Sequence, residues 1–261
     1  MLLFDEFVNI VNKLRDPEKG CPWDIKQTSK SLIPNFIEEV YEAVEAIEES
    51  DDTLLLEELG DILLHVMLQA KIAEEKGVFT LDDVLKSINN KLIRRHPHVF
   101  ADLEIETSDQ AKLNWERIKL QEKKKERKSV LEGVPKNLPA LIQAQRIQEK
   151  AASVGFDWDS IEPIFEKIKE EIDEVKAEID PPLPHLAKRG NLEMEIGDLF
   201  FAVVNLSRKL KIDSESALRL SNEKFKTRFN KVEKLCEEKQ LNMLEMDLKA
   251  LDELWDIVKK D

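Results

Sequence analysis

Apolar residues recur along this chain at helical spacing. Between positions 161 and 179 they fall at Ile161, Ile164, Phe165, Ile168, Ile172, Val175 and Ile179, a stripe with the ~3.6-residue period of an amphipathic helix. The next apolar segment, IGDLFFAVVNL over Ile196–Leu206, is apolar on nearly every side, which predicts a helix buried all round. No segment alternates apolar and polar residues for long enough to predict a strand, so the pattern predicts an all-α fold. Trp115–Lys128 is charged with few apolar positions and predicts a linker helix whose basic run is a solvated face.

The pattern occurs twice. FIEEVYEAVEAIEE (Phe36–Glu49) resembles KIKEEIDEVKAEID (Lys167–Asp180), LEELGDILLHVML (Leu56–Leu68) resembles MEIGDLFFAVVNL (Met194–Leu206), and NNKLIRR (Asn89–Arg95) parallels NEKFKTR (Asn222–Arg228). Glu171 follows Glu39 by 132 residues, Glu195 follows Glu58 by 137, and Lys224 follows Lys91 by 133. The second hairpin therefore carries a five-residue insertion, around Pro181-Pro182-Leu183-Pro184. A repeat of one helical hairpin predicts residues 1–105 as a first copy, 106–130 as a charged helical linker and 131–261 as a second copy.

Composition narrows the function. With 36% charged residues and only 7 Gly in 261 residues, the chain favours helix over sheet. A net charge of −14 argues against broad nucleic-acid binding, which needs Lys and Arg against phosphates. Two cysteines, Cys21 and Cys236, are too few for a disulfide scaffold and suit a reducing compartment. Asp5 and Glu6 interrupt the N-terminal apolar run, and no apolar run is long enough for a bilayer. The expectation is a cytoplasmic protein with no membrane partner.

The acids carry the candidate chemistry. At about 100° per residue, Glu171, Glu174 and Glu178 share one flank of their helix with Lys167. Glu195 and Asp198, three apart, share a face at the start of the apolar helix. An uncompensated buried carboxylate costs several kcal/mol and normally acquires a partner. A divalent cation is such a partner, and Mg²⁺ selects oxygen ligands. Rise per residue sets Glu174 and Glu195 at similar height on antiparallel helices, so two acids from each helix converge. The first copy repeats the construction with Glu39, Glu42, Glu58 and Asp61. A glycine lies between the acids each time, Gly60 and Gly197, which predicts close helix approach at that point. A single ExxE or ExxD in so charged a chain is ordinarily a solvated face; two matched four-acid hairpins, with one pair of acids on an apolar helix, favour a metal site instead.

Cations accompany the acids. Lys224 and Arg228 are i, i+4 with Phe225 and Phe229 interleaved, and Lys188 and Arg189 fall in the predicted hairpin loop. Cations beside a metal suit a triphosphate. The first copy offers SDDTLL at that loop, where Asp51 and Asp52 repel phosphates. The absence of a P-loop argues against a motor or kinase-like ATPase. A non-catalytic, metal-binding helical scaffold remains the alternative from the residues alone, as does an alarmone or damaged-nucleotide hydrolase using the same site.

Along its length the chain resembles the MazG-type nucleoside triphosphate pyrophosphohydrolases. The strings that carry the resemblance are GCPWDIKQTSKSL (Gly20–Leu32), EEVYE, ELGD, KLIRRHPHVF (Lys91–Phe100), GVPKNLPAL, KAASVGFDW (Lys150–Trp158), EEIDE, EIGD and NEKFKTRF. CPWD, RRHPHVF and VGFDW in this order are the more specific ones. The resemblance implies a homodimer built from four-helix units, and Mg²⁺-dependent hydrolysis of NTP or dNTP to monophosphate and pyrophosphate, with Mn²⁺ as a substitute ion. It implies Mg²⁺ ligands at Glu171, Glu174, Glu195 and Asp198. Nucleotide contacts are implied at Lys167, Glu170, Lys188, Arg189, Asn191, Lys224, Phe225 and Arg228, with Trp255 as a base-stacking residue. It implies that the second copy is the catalytic one. The first copy keeps Glu39, Glu42, Glu58 and Asp61 together with Lys91 and Arg95, and so is a second candidate site.

Overall fold

The computed structural model describes residues 2–123, 129–179 and 186–260. The side chains of Lys188 and Arg189, the basic run 124–128 and the Pro181–Pro184 insertion lie outside the described residues. The described residues form helices joined by turns, with no strand among them. No helix among them is long and apolar enough to cross a membrane. The chain divides into two compact units, Met1–Ala111 and Lys112–Asp261.

The first unit contains α1 (Leu2–Leu14), α2 (Pro22–Lys26), α3 (Ile33–Glu49), α4 (Asp52–Glu75), α5 (Leu81–Arg95) and α6 (Pro97–Phe100). A tight turn joins α3 to α4. Ser50 ends α3 in the left-handed region (φ 58), and Asp51 caps α4 by accepting from the Thr53 and Leu54 amides at 3.0 Å. A capping carboxylate spends its charge on those amides, so Asp51 is a helix-start residue as well as a negative charge. Thr80 and Asp83 form a reciprocal capping box at the start of α5. The core joins Val11, Leu32, Met67, Leu68 and Ile72, with Phe7, Val8, Leu64 and Leu81 packed against them. Below it, the Arg15 guanidinium grips Glu75 (Nη2 to Oε2 2.6 Å, Nε to Oε1 2.9 Å) and donates to the Asp24 carbonyl. That ties the CPWD turn to the end of α4.

Helix α7 (Ser108–Lys123) runs across the division between the units. The second unit contains α8 (Ala140–Ala152), α9 (Glu162–Ile179), α10 (Leu186–Lys209), α11 (Ser214–Glu238) and α12 (Leu248–Lys260). Helices α9 and α10 make its most extensive pair, as α3 and α4 do in the first unit. Helix α8 packs on α10, and α11 pairs with α12 around Val232, Cys236, Leu254 and Val258.

Two expectations are corrected. Within one chain the Ile196–Leu206 segment is buried on one side only: Ala202, Val204 and Asn205 are buried, whereas Ile196, Phe200, Phe201 and Val203 are exposed. Among the described residues α8 and α9 make most of the contact with α10, and α11 touches it less. Nor do Gly60 and Gly197 mark close helix approach, since a Cβ at either would meet nothing within 4 Å. Both sit on the uncovered side of their helix.

Candidate active site

Each unit gathers three carboxylates from its hairpin. In the second, ligand-capable oxygens of Glu171, Glu174 and Glu195 all lie within 4.8 Å of one another; in the first, those of Glu39, Glu58 and Asp61 do. The i, i+3 spacing along one helix and the antiparallel return of the next produce this convergence. The fourth acid differs between the copies. Asp198 turns to the wall of a neighbouring cavity, while Glu42 stands beside Glu39 and Glu58 and raises the pKa of both.

Burial separates the acids within each cluster. Glu171 is 4% exposed and Glu58 7%, and each has one carboxylate oxygen, Oε2, with no hydrogen-bond partner. A buried carboxylate oxygen without a donor is costly. Its neighbours respond electrostatically. Burial, then repulsion from Glu171, pushes the Glu174 carboxyl up. Burial, then the surrounding acids, does the same to Glu39 and Glu58. Both clusters are thus short of positive charge, and their all-oxygen donor sets fit a hard divalent cation.

The compensation present differs between the copies. In the second, Lys167 Nζ lies 2.8 Å from both Glu170 Oε1 and Glu171 Oε1, and these two acceptors hold the ammonium well above its ordinary range. The first copy has Asn35 in that register. There, His65 is buried with Nε2 3.8 Å from Glu39 Oε1 and its ring stacked on Phe36 at 5.5 Å. Burial lowers its pKa, against a smaller upward pull from Asp61.

Beside the second cluster is a cavity of about 750 Å³. Lys167, Glu171 and Asp198 form its polar wall, and Ile147, Ala151, Phe156, Trp158, Ile164 and Phe201 its apolar one. Gln148 and Asn205, both buried, also face it. Gln148 donates Nε2 to the Phe201 carbonyl at 2.7 Å and leaves Oε1 unpartnered. Asp157 anchors the rim: its carboxylate receives Arg208 (2.5 and 3.2 Å) and Lys209 (3.3 Å). Burial alone would raise that carboxyl, but these donors outweigh it and hold it below its ordinary range.

The remaining expected contacts lie elsewhere in the second unit. Lys224, Phe225 and Arg228 are on α11, where the Phe225 ring is 5.1 Å from the Trp255 ring and 5.9 Å from Phe229. Trp255 packs against the core between α11 and α12. Among the described residues, none that lines the cavity comes from these two helices. Glu170 is largely exposed and tied to Lys167. The loop expected around Lys188 and Arg189 is corrected: the backbone is already helical from Leu186, so both residues, with the exposed Asn191, fall in the first turns of α10. In the first unit Lys91 is half-buried on α5, and Arg95 is buried at its end. Sequence reasoning missed Gln148, Asp157, Asn205 and Arg208 as site residues, although VGFDW contains Asp157 and borders the cavity.

Comparison with known proteins agrees with this duplicated hairpin. The family model described as MazG nucleotide pyrophosphohydrolase domain matches twice, over residues 27–100 and 159–233. The chain belongs to the MazG family. A Thermotoga maritima protein named nucleoside triphosphate pyrophosphohydrolase/pyrophosphatase MazG is 49% identical over 258 residues, covering 99% of this chain and 96% of that protein. An Escherichia coli K12 nucleoside triphosphate pyrophosphohydrolase is 45% identical, covering 98% and 97%. The Bacillus subtilis protein YabN, described as uncharacterized, is 46% identical over 98% of this chain and 52% of its own length. The two MazG matches take in every acid of both clusters.

Proposed function

We propose that the chain is a divalent-cation-dependent nucleoside triphosphate pyrophosphohydrolase, working as a homodimer and releasing nucleoside monophosphate and pyrophosphate. The observation that carries this reading is the three-carboxylate cluster of Glu171, Glu174 and Glu195, with its unpartnered Glu171 oxygen, opening beside a cavity with Lys167 and Asp198 in its wall. Two relatives matched along nearly their full length bear that enzyme name.

Glu171, Glu174 and Glu195, with Asp198 beside them, would hold the cation; Mg²⁺ is the expected ion and Mn²⁺ a substitute. When bound, the cation supplies Lewis-acid charge to the polyphosphate. The residues do the rest. Lys167, kept protonated by Glu170 and Glu171, offers fixed positive charge at the cavity wall. Glu170 is a candidate acceptor for the proton of the attacking water, whose oxygen bonds to the α-phosphorus as the bond to the bridging oxygen breaks. Pyrophosphate then departs with its charge offset by Lys167, with Lys224 and Arg228 as further candidates. The apolar wall excludes water from the organic part of the nucleotide.

Exposed Ile196, Phe200 and Val203 on α10, with Ile172 on α9, form an apolar face suited to a second copy of the chain, completing a four-helix unit. Residues 1–105 and 131–261 are read as the two copies, joined by a helical linker. The test of the reaction is product analysis by ion-exchange chromatography with Mg²⁺ and each common NTP and dNTP. Monophosphate and pyrophosphate in equal amounts are expected. Diphosphate with orthophosphate would refute the reaction, and tight metal binding without turnover would favour the scaffold alternative.

A further inference from the structure

Both copies carry a glycine that their own chain does not require. Gly60 lies inside α4, between Glu58 and Asp61, and Gly197 lies inside α10, between Glu195 and Asp198. Neither has the positive φ that favours glycine, which Gly77, Gly133 and Gly155 do have. Packing within the chain does not exclude a larger residue either: among the described residues, a Cβ at position 60 or 197 would meet nothing within 4 Å. A helix-interior glycine is less stable than alanine. Nothing inside the chain favours glycine at this register, yet it stands there twice.

The surroundings point outward. Both glycines are exposed, and apolar residues beside them are exposed as well. Leu59 and Leu63 flank Gly60, and Ile196 and Phe200 flank Gly197 at the matching positions. The first helix of each hairpin repeats the match, with Val40 and Ile47 exposed on α3 and Ile172 and Ile179 on α9. An exposed glycine among such residues lets a second backbone approach closer than the ~8–10 Å usual between helix axes. A recess bounded by apolar side chains fits a packed helix. A copy related by a twofold axis supplies one with the same recess at the same register, and pairing the two hairpins buries the apolar residues of both.

We propose that Gly60 and Gly197 are interface residues, the points at which a helix of a second copy crosses each hairpin most closely. This inference rests on the homodimer of the proposed function and goes beyond it, since it assigns the closest contact to one residue in each hairpin.

The experiment is sedimentation equilibrium of the full chain, the parent against Gly60→Ala with Gly197→Ala, with circular dichroism on the same samples. The parent is expected to dimerise and the double variant to keep its helicity. The variant's dimer dissociation constant should rise by roughly tenfold or more, the scale of overpacking a close contact. A dissociation constant within about twofold of the parent's overturns this inference alone. So does an intact dimer with lost turnover, which would mean that the glycines make room for the substrate. If the double variant fails to fold, the single variants decide. Each leaves one crossing intact and should weaken the dimer in the same direction; parent-like association in both, or loss of helicity in either, overturns the assignment. A parent that is monomeric at micromolar concentration removes the homodimer and this inference together, and leaves the hydrolysis reaction to product analysis.

Discussion

Replacing Glu171 by glutamine keeps the shape of a buried side chain and removes its charge. Glu171 Oε1 accepts from Lys167 at 2.8 Å, and its other oxygen has no donor. Without a cation, the substitution weakens one charge-assisted bond but also removes a buried charge beside Glu174, so the two effects oppose each other. With a cation the effects no longer cancel. Loss of groups that merely orient ligands typically costs about 10–100-fold in metal affinity, so loss of an anionic ligand should cost roughly 100-fold or more. If Mg²⁺ stands at about 100 times the parent's Kd, it stabilises the parent by about 2.7 kcal/mol. At about 2–4 °C per kcal/mol for a unit of this size, the melting temperature rises by roughly 5–11 °C. A site weakened 100-fold is then half-occupied and gains about 0.4 kcal/mol, an upshift of about 1–2 °C. Scanning calorimetry across a Mg²⁺ titration reads this directly, and the untouched first cluster serves as an internal control. Turnover at the same Mg²⁺ concentration should fall at least by about the twofold that half-occupancy sets. An unchanged Mg²⁺ upshift with unchanged turnover would refute the ligand assignment.

In a matched pair of variants, Glu174→Gln with Glu195→Gln should abolish turnover while Glu42→Gln with Glu58→Gln leaves most of it; equal losses would mean that the copies depend on each other. Sedimentation should find a homodimer at micromolar concentration, and an active monomer would leave the apolar face of α10 unexplained. Arg15→Met should destabilise the first unit by about 2–3 kcal/mol, the lower side of a buried-pair loss because Glu75 is about one-third exposed. The Arg15 hydrogen bond also holds Glu75 below its ordinary range, so that stabilisation is present above the unfolded carboxylate pKa and is lost as pH falls through the folded one. The stability gap between parent and Arg15→Met should therefore narrow in acid, and a gap that widens there would contradict the pairing.

Local information reached a long way in this chain. Helix periodicity, the duplicated hairpin and the facing of Glu171, Glu174 and Glu195 follow from spacing along single helices that are neighbours in the chain, which sequence displays directly. Asp51 as a cap and Lys167 as the partner of Glu171 are likewise i, i+2 to i, i+4 relations. What the sequence did not display depends on which distant side chains share a volume. Gln148 and Asn205, 57 residues apart, line one cavity only because α8 packs on α10, and neither carries a charge that would mark it in a string. Asp157 and Arg208 are brought together in the same way. Periodicity also misjudged Ile196–Leu206, because an all-round apolar pattern states that a helix needs cover without stating that its own chain provides it. The matching positions of the two copies also keep different company: Leu68 packs into a core with Val11 and Leu32, whereas Asn205 lines the cavity of the second copy. Such neighbours are fixed only when distant helices pack together, so tertiary structure, and not the local pattern, decided what surrounds each set of acids.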